Sequence, residues 1–382
     1  ASDVVPGTFM DGVYYMLSMP GAHRPAVYRR RYCRYSTGSG PERPRGTYSA
    51  DDSGGDRQLG VEAVEESREK SFPADVRTVA IVGLGLLGGS LGLCLRRRFG
   101  DRVRVLGLAR RAESIETALA RGVIDAGSCD AEDVLPEADL TVLCIPPEGA
   151  VTFLQVHSFL WKEGSVVTDV CSTKGKVVHT GVKELAEAGA VFVGSHPMAG
   201  SEQSGLDFAA DDLYEGATVF VAVVYGTEIE PVNRVVSFWY ALGAEPSLLS
   251  PEQHDALTAR TSHALHLLAS ALVRCVLGYA PDAALGTAGA FRDMTRIAMS
   301  SPDMWTEIVR QNARNTDEAL ADICRELQAL RKVVRRGEWD ILADYLEENR
   351  YERSRWEQDG ASDCQSTPRD ESPIATAFPV PR

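Results

Sequence analysis

The chain has 382 residues, enough for two core-forming domains with extensions at both ends, and its net charge of −14 argues against nucleic acid as the main partner. Its eight cysteines are scattered without a Cys-x-x-Cys pair, which suits reduced thiols and a cytoplasmic setting and offers neither a disulfide framework nor a zinc site. The longest apolar helical run, Ala264 to Leu277, is too short to span a bilayer and contains Arg274, so no membrane partner is expected.

In chain order, residues 1–73 show little hydrophobic periodicity. His23 to Arg45 carries seven arginines against one acid, Glu42. This reads as a disordered arm; an organelle transit peptide, and with it a plastid location, has the same character. Residues 74–249 read as a dinucleotide-binding domain. Thr78 to Val82 is a β-branched run typical of a buried parallel strand. Gly83-Leu-Gly85-Leu86-Leu87-Gly88 follows at once and opens a helix from Leu86 to Phe99. In such a turn Gly83 permits the tight bend, Gly85 lets the backbone approach a pyrophosphate, and Gly88 lets helix and strand pack closely. The first helical turn at Leu86 and Leu87 would offer its amides to phosphate.

A second strand is predicted over Val103 to Leu108. Where NAD sites commonly carry an acid, this chain reads Ala109-Arg110-Arg111. The arginines can pair with a 2′-phosphate, which leans the reading towards NADP. They can equally be solvated residues at a helix start, which leaves NAD in use. A further strand from Leu140 stops at Ile145-Pro146-Pro147, and Val166 to Asp169 is the next. Ligands of open α/β sheets collect beyond the carboxyl ends of the strands, where Ile145, Pro146, Asp169, Ser172, Lys174 and His196 would gather. Asp169 reads equally as a cofactor-side group and as a turn cap, and Lys174 can simply begin a helix. His196 follows a strand-like run and precedes a Gly-rich loop, a suitable place for a general base. A hydride carrier with a positioned base is what an alcohol-oxidising dehydrogenase needs.

Ala217 to Val224 is another strand, and from Pro251 to about Trp356 the pattern is helical. His263 and His266 lie three apart, without the spacing or third ligand of a metal site. His263 reads as a hydrogen-bonded core histidine and His266 as a polar lining of a cleft. Arg292 and Arg296 are four apart in an otherwise apolar segment, where buried guanidinium groups would need anions and could bind substrate carboxylates. Trp305 is expected to begin a long helix as a core or dimer-packing residue. Residues 357–382 read as a disordered tail.

Five motifs occur in order: Gly83-x-Gly85-x-x-Gly88-Gly-Ser90, Asp169-x-x-Ser172-x-Lys174-Gly175, His196-Pro-Met-Ala-Gly-Ser-Glu202, His254-Asp255 with Ser262-His263-x-x-His266, and Phe291-Arg-Asp-Met-Thr-Arg296. Together they resemble the prephenate/arogenate dehydrogenases of tyrosine biosynthesis, over about residues 76 to 350. The resemblance implies an α/β Rossmann-type domain followed by an all-α domain, residues 250–356, that binds substrate and builds a homodimer. It implies NAD(P)-dependent oxidative decarboxylation of prephenate to 4-hydroxyphenylpyruvate, or of arogenate to tyrosine. By motif, His196 would be the base, Ser172 would hold the same oxygen or orient the base, Arg296 and His266 would bind substrate, and Arg292 would add positive potential. Glu202 could hold the ammonium of arogenate, yet members that use prephenate also carry it. Two other readings stand beside this one. One is a related NADP-linked dehydrogenase or imine reductase, which leaves His196-Pro197-Met198 unexplained. The other is a nucleotide-sensing regulator, which would tolerate loss of Ser172, His196 or Arg296.

Overall fold

The computed structural model describes residues 72–200, 203–279 and 281–359. The expected arm through residue 71, the tail from residue 360, and Glu202 lie outside the described residues.

Strand β1 (Thr78–Val82) is buried at four of its five positions. Val79 and Ile81 enter one hydrophobic core while Ala80 and Val82 enter another. Alternate side chains of a strand point to opposite faces, so a continuous apolar run marks a strand covered on both sides. Helix α1 (Leu86–Phe99) buries Leu91, Cys94 and Leu95 against the first face. β2 (Arg104–Leu108), α2 (Ala112–Ala120), β3 (Ala126–Ser128), β4 (Leu140–Leu143), α3 (Pro147–Val156), β5 (Val166–Asp169), α4 (Gly175–Leu185) and β6 (Val191–Phe192) follow. Ala150 and Leu154 of α3 and Val177 and Val178 of α4 fill the second face. The six strands are parallel in the order β3-β2-β1-β4-β5-β6. The order reverses between β1 and β4, and the two loops leaving those strands part to open a crevice.

A second sheet continues from β6. β7 (Gly194–Pro197) pairs antiparallel with β8 (Thr218–Ala222), which pairs parallel with β9 (Glu245–Leu249). His196 thus sits within a strand, opposite Phe220, rather than just after one. α5 (Ile229–Ala241) lies between β8 and β9 in the chain and buries Phe238 and Trp239.

The helices begin at α6 (Pro251–Thr258). Ser250 and Gln253 form a reciprocal cap there, and Pro251 occupies the first turn, where its missing N–H costs nothing. A widened turn, Ala259–His263, leads into α7 (Ala264–Val273). With a second widened turn, Arg274–Gly278, the helix runs unbroken over 28 residues, Pro251–Gly278. The expected run from Ala264 was therefore too short: this helix is long and apolar enough, by length and composition, to cross a membrane. Its polar residues Arg260, Ser262 and His263 fall on the widened turn and do not end it. α8 (Gly289–Thr295), α9 (Pro302–Gln311), α10 (Ala313–Arg336) and α11 (Trp339–Asp359) complete the described chain.

Candidate active site

A cavity of about 1340 Å³ opens beside the carboxyl ends of β1, β2 and β4. Gly83, Gly85, Arg110, Arg111, Ile145 and Pro146 all line it. Gly83 has φ +97°, and its amide donates to the Leu108 carbonyl at 2.8 Å, which bends the chain sharply out of β1. A Cβ on Gly88 would stand 1.9 Å from the Gly83 carbonyl oxygen, so close helix–strand contact demands glycine there. A Cβ on Gly85 would meet no protein atom within 4 Å; the space in front of that backbone is open. The first turn of α1 has no side-chain cap and no acidic residue. Unused amides and an uncancelled positive helix end face an approach that only glycine leaves clear, and such a cradle fits a dinucleotide pyrophosphate.

Leu86, Leu87 and Gly88 lie outside the cavity lining. They build the turn, and the Leu87 carbonyl accepts from Tyr214 Oη at 2.7 Å. Asp169 also lies outside it. This carboxylate is fully buried, pairs with the equally buried Lys174 ammonium, and accepts the Ser195 amide at 3.0 Å and the Cys171 amide at 3.0 Å. Its geometry is that of a clamp within the protein. The helical lobe reaches the cavity through Glu307, whose carboxylate accepts the Glu148 amide at the start of α3.

His196 stands apart from the cavity lining, linked to it through the end of β5. Cys171 Sγ bonds to the Ile145 carbonyl on the cavity wall at 3.5 Å. Lys174 Nζ donates to the Ser195 carbonyl at 2.9 Å. Ser195 Oγ takes bonds from Trp239 Nε1 at 3.0 Å and shares one with Thr168 Oγ1 at 2.7 Å. Ser195, the residue before His196, is thus held on four sides, which fixes the position of the imidazole. His196 Nδ1 lies 2.8 Å from His254 Nε2, and His254 Nδ1 lies 2.8 Å from Asp255 Oδ1. Asp255 also accepts the Lys174 amide at 2.8 Å and the Gly175 amide at 2.9 Å. Burial, followed by the neighbouring His254 and Lys174, holds the His196 imidazole well below the ordinary histidine range. It is therefore neutral at physiological pH, as a proton acceptor must be.

Ser172 is half-buried in the loop between β5 and α4, and its backbone faces His263. His263 is buried, as expected of a core histidine, with Asn312 Nδ2 3.1 Å from its Nδ1. His266 is also buried and stacks on Trp305, with ring centroids 3.6 Å apart and planes 10° from parallel. His266 Nδ1 and Trp305 Nε1 are buried and have no hydrogen-bond partner among the described residues. Two such orphaned polar atoms side by side are costly unless something polar binds against them. Trp305 lies on the ten-residue α9, not on the long helix that follows. Arg292 and Arg296 are both exposed, which corrects the premise that they are buried cations in need of anions. Their segment looked like core because of Met294 and Met299, and both of these are exposed in the chain as described. α8 stops at Thr295, so Arg296 begins a tighter turn, Arg296–Met299, which packs against α7, the helix of His266.

Two family models match the chain: "Prephenate dehydrogenase, nucleotide-binding domain" over residues 91–248 and "Prephenate dehydrogenase, dimerization domain" over residues 250–348. A prephenate dehydrogenase of Bacillus subtilis is 32% identical over 274 residues, covering 70% of this chain and 73% of the relative. The chain belongs to the prephenate dehydrogenase family. A crystal structure of the Aquifex aeolicus prephenate dehydrogenase, in complex with hydroxyphenyl propionate and NAD+, shares 33% identity at a TM-score of 0.68 and covers 73% of this chain and 98% of that one. The Synechocystis arogenate dehydrogenase structure shares 26% identity at a TM-score of 0.64 over 73% and 99% of the two chains. Membership makes this prephenate dehydrogenase relative an NAD(P)-dependent oxidoreductase with a Rossmann domain and a helical dimerization domain. His254, Asp255, Asn312, Ser195 and Trp239 are the site's supporting residues that composition and spacing did not single out by role. His254 and Asp255 stand in the fourth motif without an assigned role, while the partners of Ser195, Trp239 and Asn312 lie too far along the chain for any local signal.

Proposed function

We propose that the chain oxidatively decarboxylates prephenate or arogenate, with His196 as general base. The observation that carries this reading is a buried, neutral imidazole, clamped through Ser195, one loop away from a glycine cradle that fits a dinucleotide. When bound in the cradle, an oxidised dinucleotide would supply the hydride acceptor for the substrate carbon that bears the hydroxyl. Gly83, Gly85 and the first amides of α1 would hold its pyrophosphate, and Ile145 and Pro146 would flank it. His196 accepts the hydroxyl proton as the carbon–oxygen bond gains double-bond character. Such help is typically worth about 10²- to 10⁴-fold in rate. Ser172, in the loop bonded to Asp255 through its next residues, would hold the same oxygen or orient the base. His266 and Trp305 offer their unpartnered ring nitrogens to the substrate's polar groups, and Arg296 and Arg292 bring positive charge to a dianionic acid.

Arg110 and Arg111 support a preference for NADP. Both line the cavity at the end of β2, where Ala109 stands at the position that carries an acid in many NAD sites, and their two positive charges face the Glu113 and Asp130 that line the same cavity. Purified protein assayed with each acid and each dinucleotide should form reduced cofactor and an aromatic product, and Arg110→Ala should weaken NADP more than NAD. No reduced cofactor from any of the four combinations would reject the proposed reaction; equal weakening of both dinucleotides would reject the phosphate pairing alone.

A further inference from the structure

We propose that His254 and Asp255 are positioning residues that act through His196 as a closed proton store, holding the substrate's hydroxyl proton during the reaction and handing it back. The proposal rests on the reaction proposed above.

The hydrogen bonds set the role of each atom. Asp255 accepts the Lys174 and Gly175 amides and one bond from His254, so His254 Nδ1 carries the hydrogen. His254 Nε2 is then a lone pair and must accept from His196 Nδ1, 2.8 Å away. That assigns the hydrogen of neutral His196 to Nδ1 and leaves its Nε2 as the basic atom. The base is made by the row behind it.

The chemistry requires only a temporary store. As the C–H electron pair leaves to the oxidised dinucleotide, the hydroxyl O–H bond breaks and an N–H bond forms at His196 Nε2. The bond from the ring to its carboxylate then breaks and carbon dioxide departs. That electron pair makes the ring aromatic, and the ring oxygen takes the same proton back as a phenol. Charge balances with no net proton: a dianion and a dinucleotide cation become a monoanion, a neutral reduced dinucleotide and carbon dioxide. A proton that returns needs no route to water. His254 has none, being fully buried and covered by the Phe220 ring, 5.8 Å centroid to centroid.

The charges around the pair favour inward transfer. Lys174 and Asp169 face His254 from the end of β5 and neutralise each other. His263, on the widened turn, has its pKa pulled down to about 4, chiefly by burial, and faces both rings as a neutral group. Asp255 has no ion pair other than with His254 among the described residues. Its negative charge is therefore available to an imidazolium at His254. When His196 passes its Nδ1 hydrogen to His254 Nε2, the positive charge moves from a ring without an adjacent carboxylate to one bonded to Asp255. Burial depresses the proton affinity of both rings, and the Asp255 carboxylate opposes that loss at His254.

His254→Gln separates storage from orientation, because the Gln carbonyl can still accept from His196 Nδ1–H but cannot hold a proton. The variant's kcat should fall roughly 10²-fold while substrate KM changes little. Independently, NMR of unliganded wild-type protein carrying 15N-labelled histidine should show both His196 and His254 as Nδ1–H tautomers. Wild-type turnover with an undiminished His254→Gln variant, or His196 observed as the Nε2–H tautomer, overturns the store and leaves the proposed reaction standing. Absence of wild-type turnover overturns both.

Discussion

Four buried histidines, His196, His254, His263 and His266, all have depressed pKa values, with burial the largest cause in each. The folded rings refuse protons that the unfolded chain accepts below about pH 6.5, so folding loses stability as pH falls from there. For His263 the loss continues to about pH 4, where the folded ring also protonates. Asp139 and Asp255, whose carboxyls are held below the ordinary range against the opposing effect of burial, add to the loss only at still lower pH. The urea midpoint should therefore drop between about pH 7 and pH 5, before carboxylates titrate; a flat midpoint across that window would contradict this account. Lys174→Met tests the clamp beside the base. It strands the fully buried Asp169 carboxylate and should cost about 3–5 kcal/mol in chemical denaturation. A loss under 1 kcal/mol would mean that the pair carries little.

Elements were legible where a local rule decides them. β1 and α1 are read from the sequence at their observed limits because apolar runs and glycine geometry act over a few residues. β3 and β9 were not: one has three residues and the other reads Glu-Pro-Ser-Leu-Leu, and both exist because a neighbouring strand pairs with them. The same limit applies to the site. His196 and His254 are 58 residues apart, and the packing of α6 against β8 and α4 brings them together. Arg292 and Arg296 mark the opposite error, since apolar neighbours in sequence do not ensure burial. The glycine turn gives a paired test. Gly88→Ala forces a Cβ into the Gly83 carbonyl and should destabilise the fold by about 1–3 kcal/mol. Gly85→Ala meets open space, so it should leave the melting temperature unchanged yet weaken dinucleotide binding. Loss of stability in Gly85→Ala with binding intact would show that the cradle is structural.

At the scale of the molecule, the proposed reaction divides its groups between the two lobes. The α/β lobe supplies the dinucleotide cradle and His196; the helical lobe supplies His254, Asp255, His266 and Trp305. Gln311 ties them, accepting from Thr173 at 2.8 Å and donating to Glu148 at 3.1 Å. The helical lobe also leaves large apolar residues exposed, among them Leu285 at 93% and Trp339 at 60%, as a domain that dimerizes would. The whole account turns on His196 as a base that serves the reaction without holding the dinucleotide. The direct measurement compares wild-type protein and His196→Asn for dinucleotide affinity by titration and for turnover. Affinity should be unchanged and kcat should fall about 10²- to 10⁴-fold. Turnover undiminished in the variant would contradict the account.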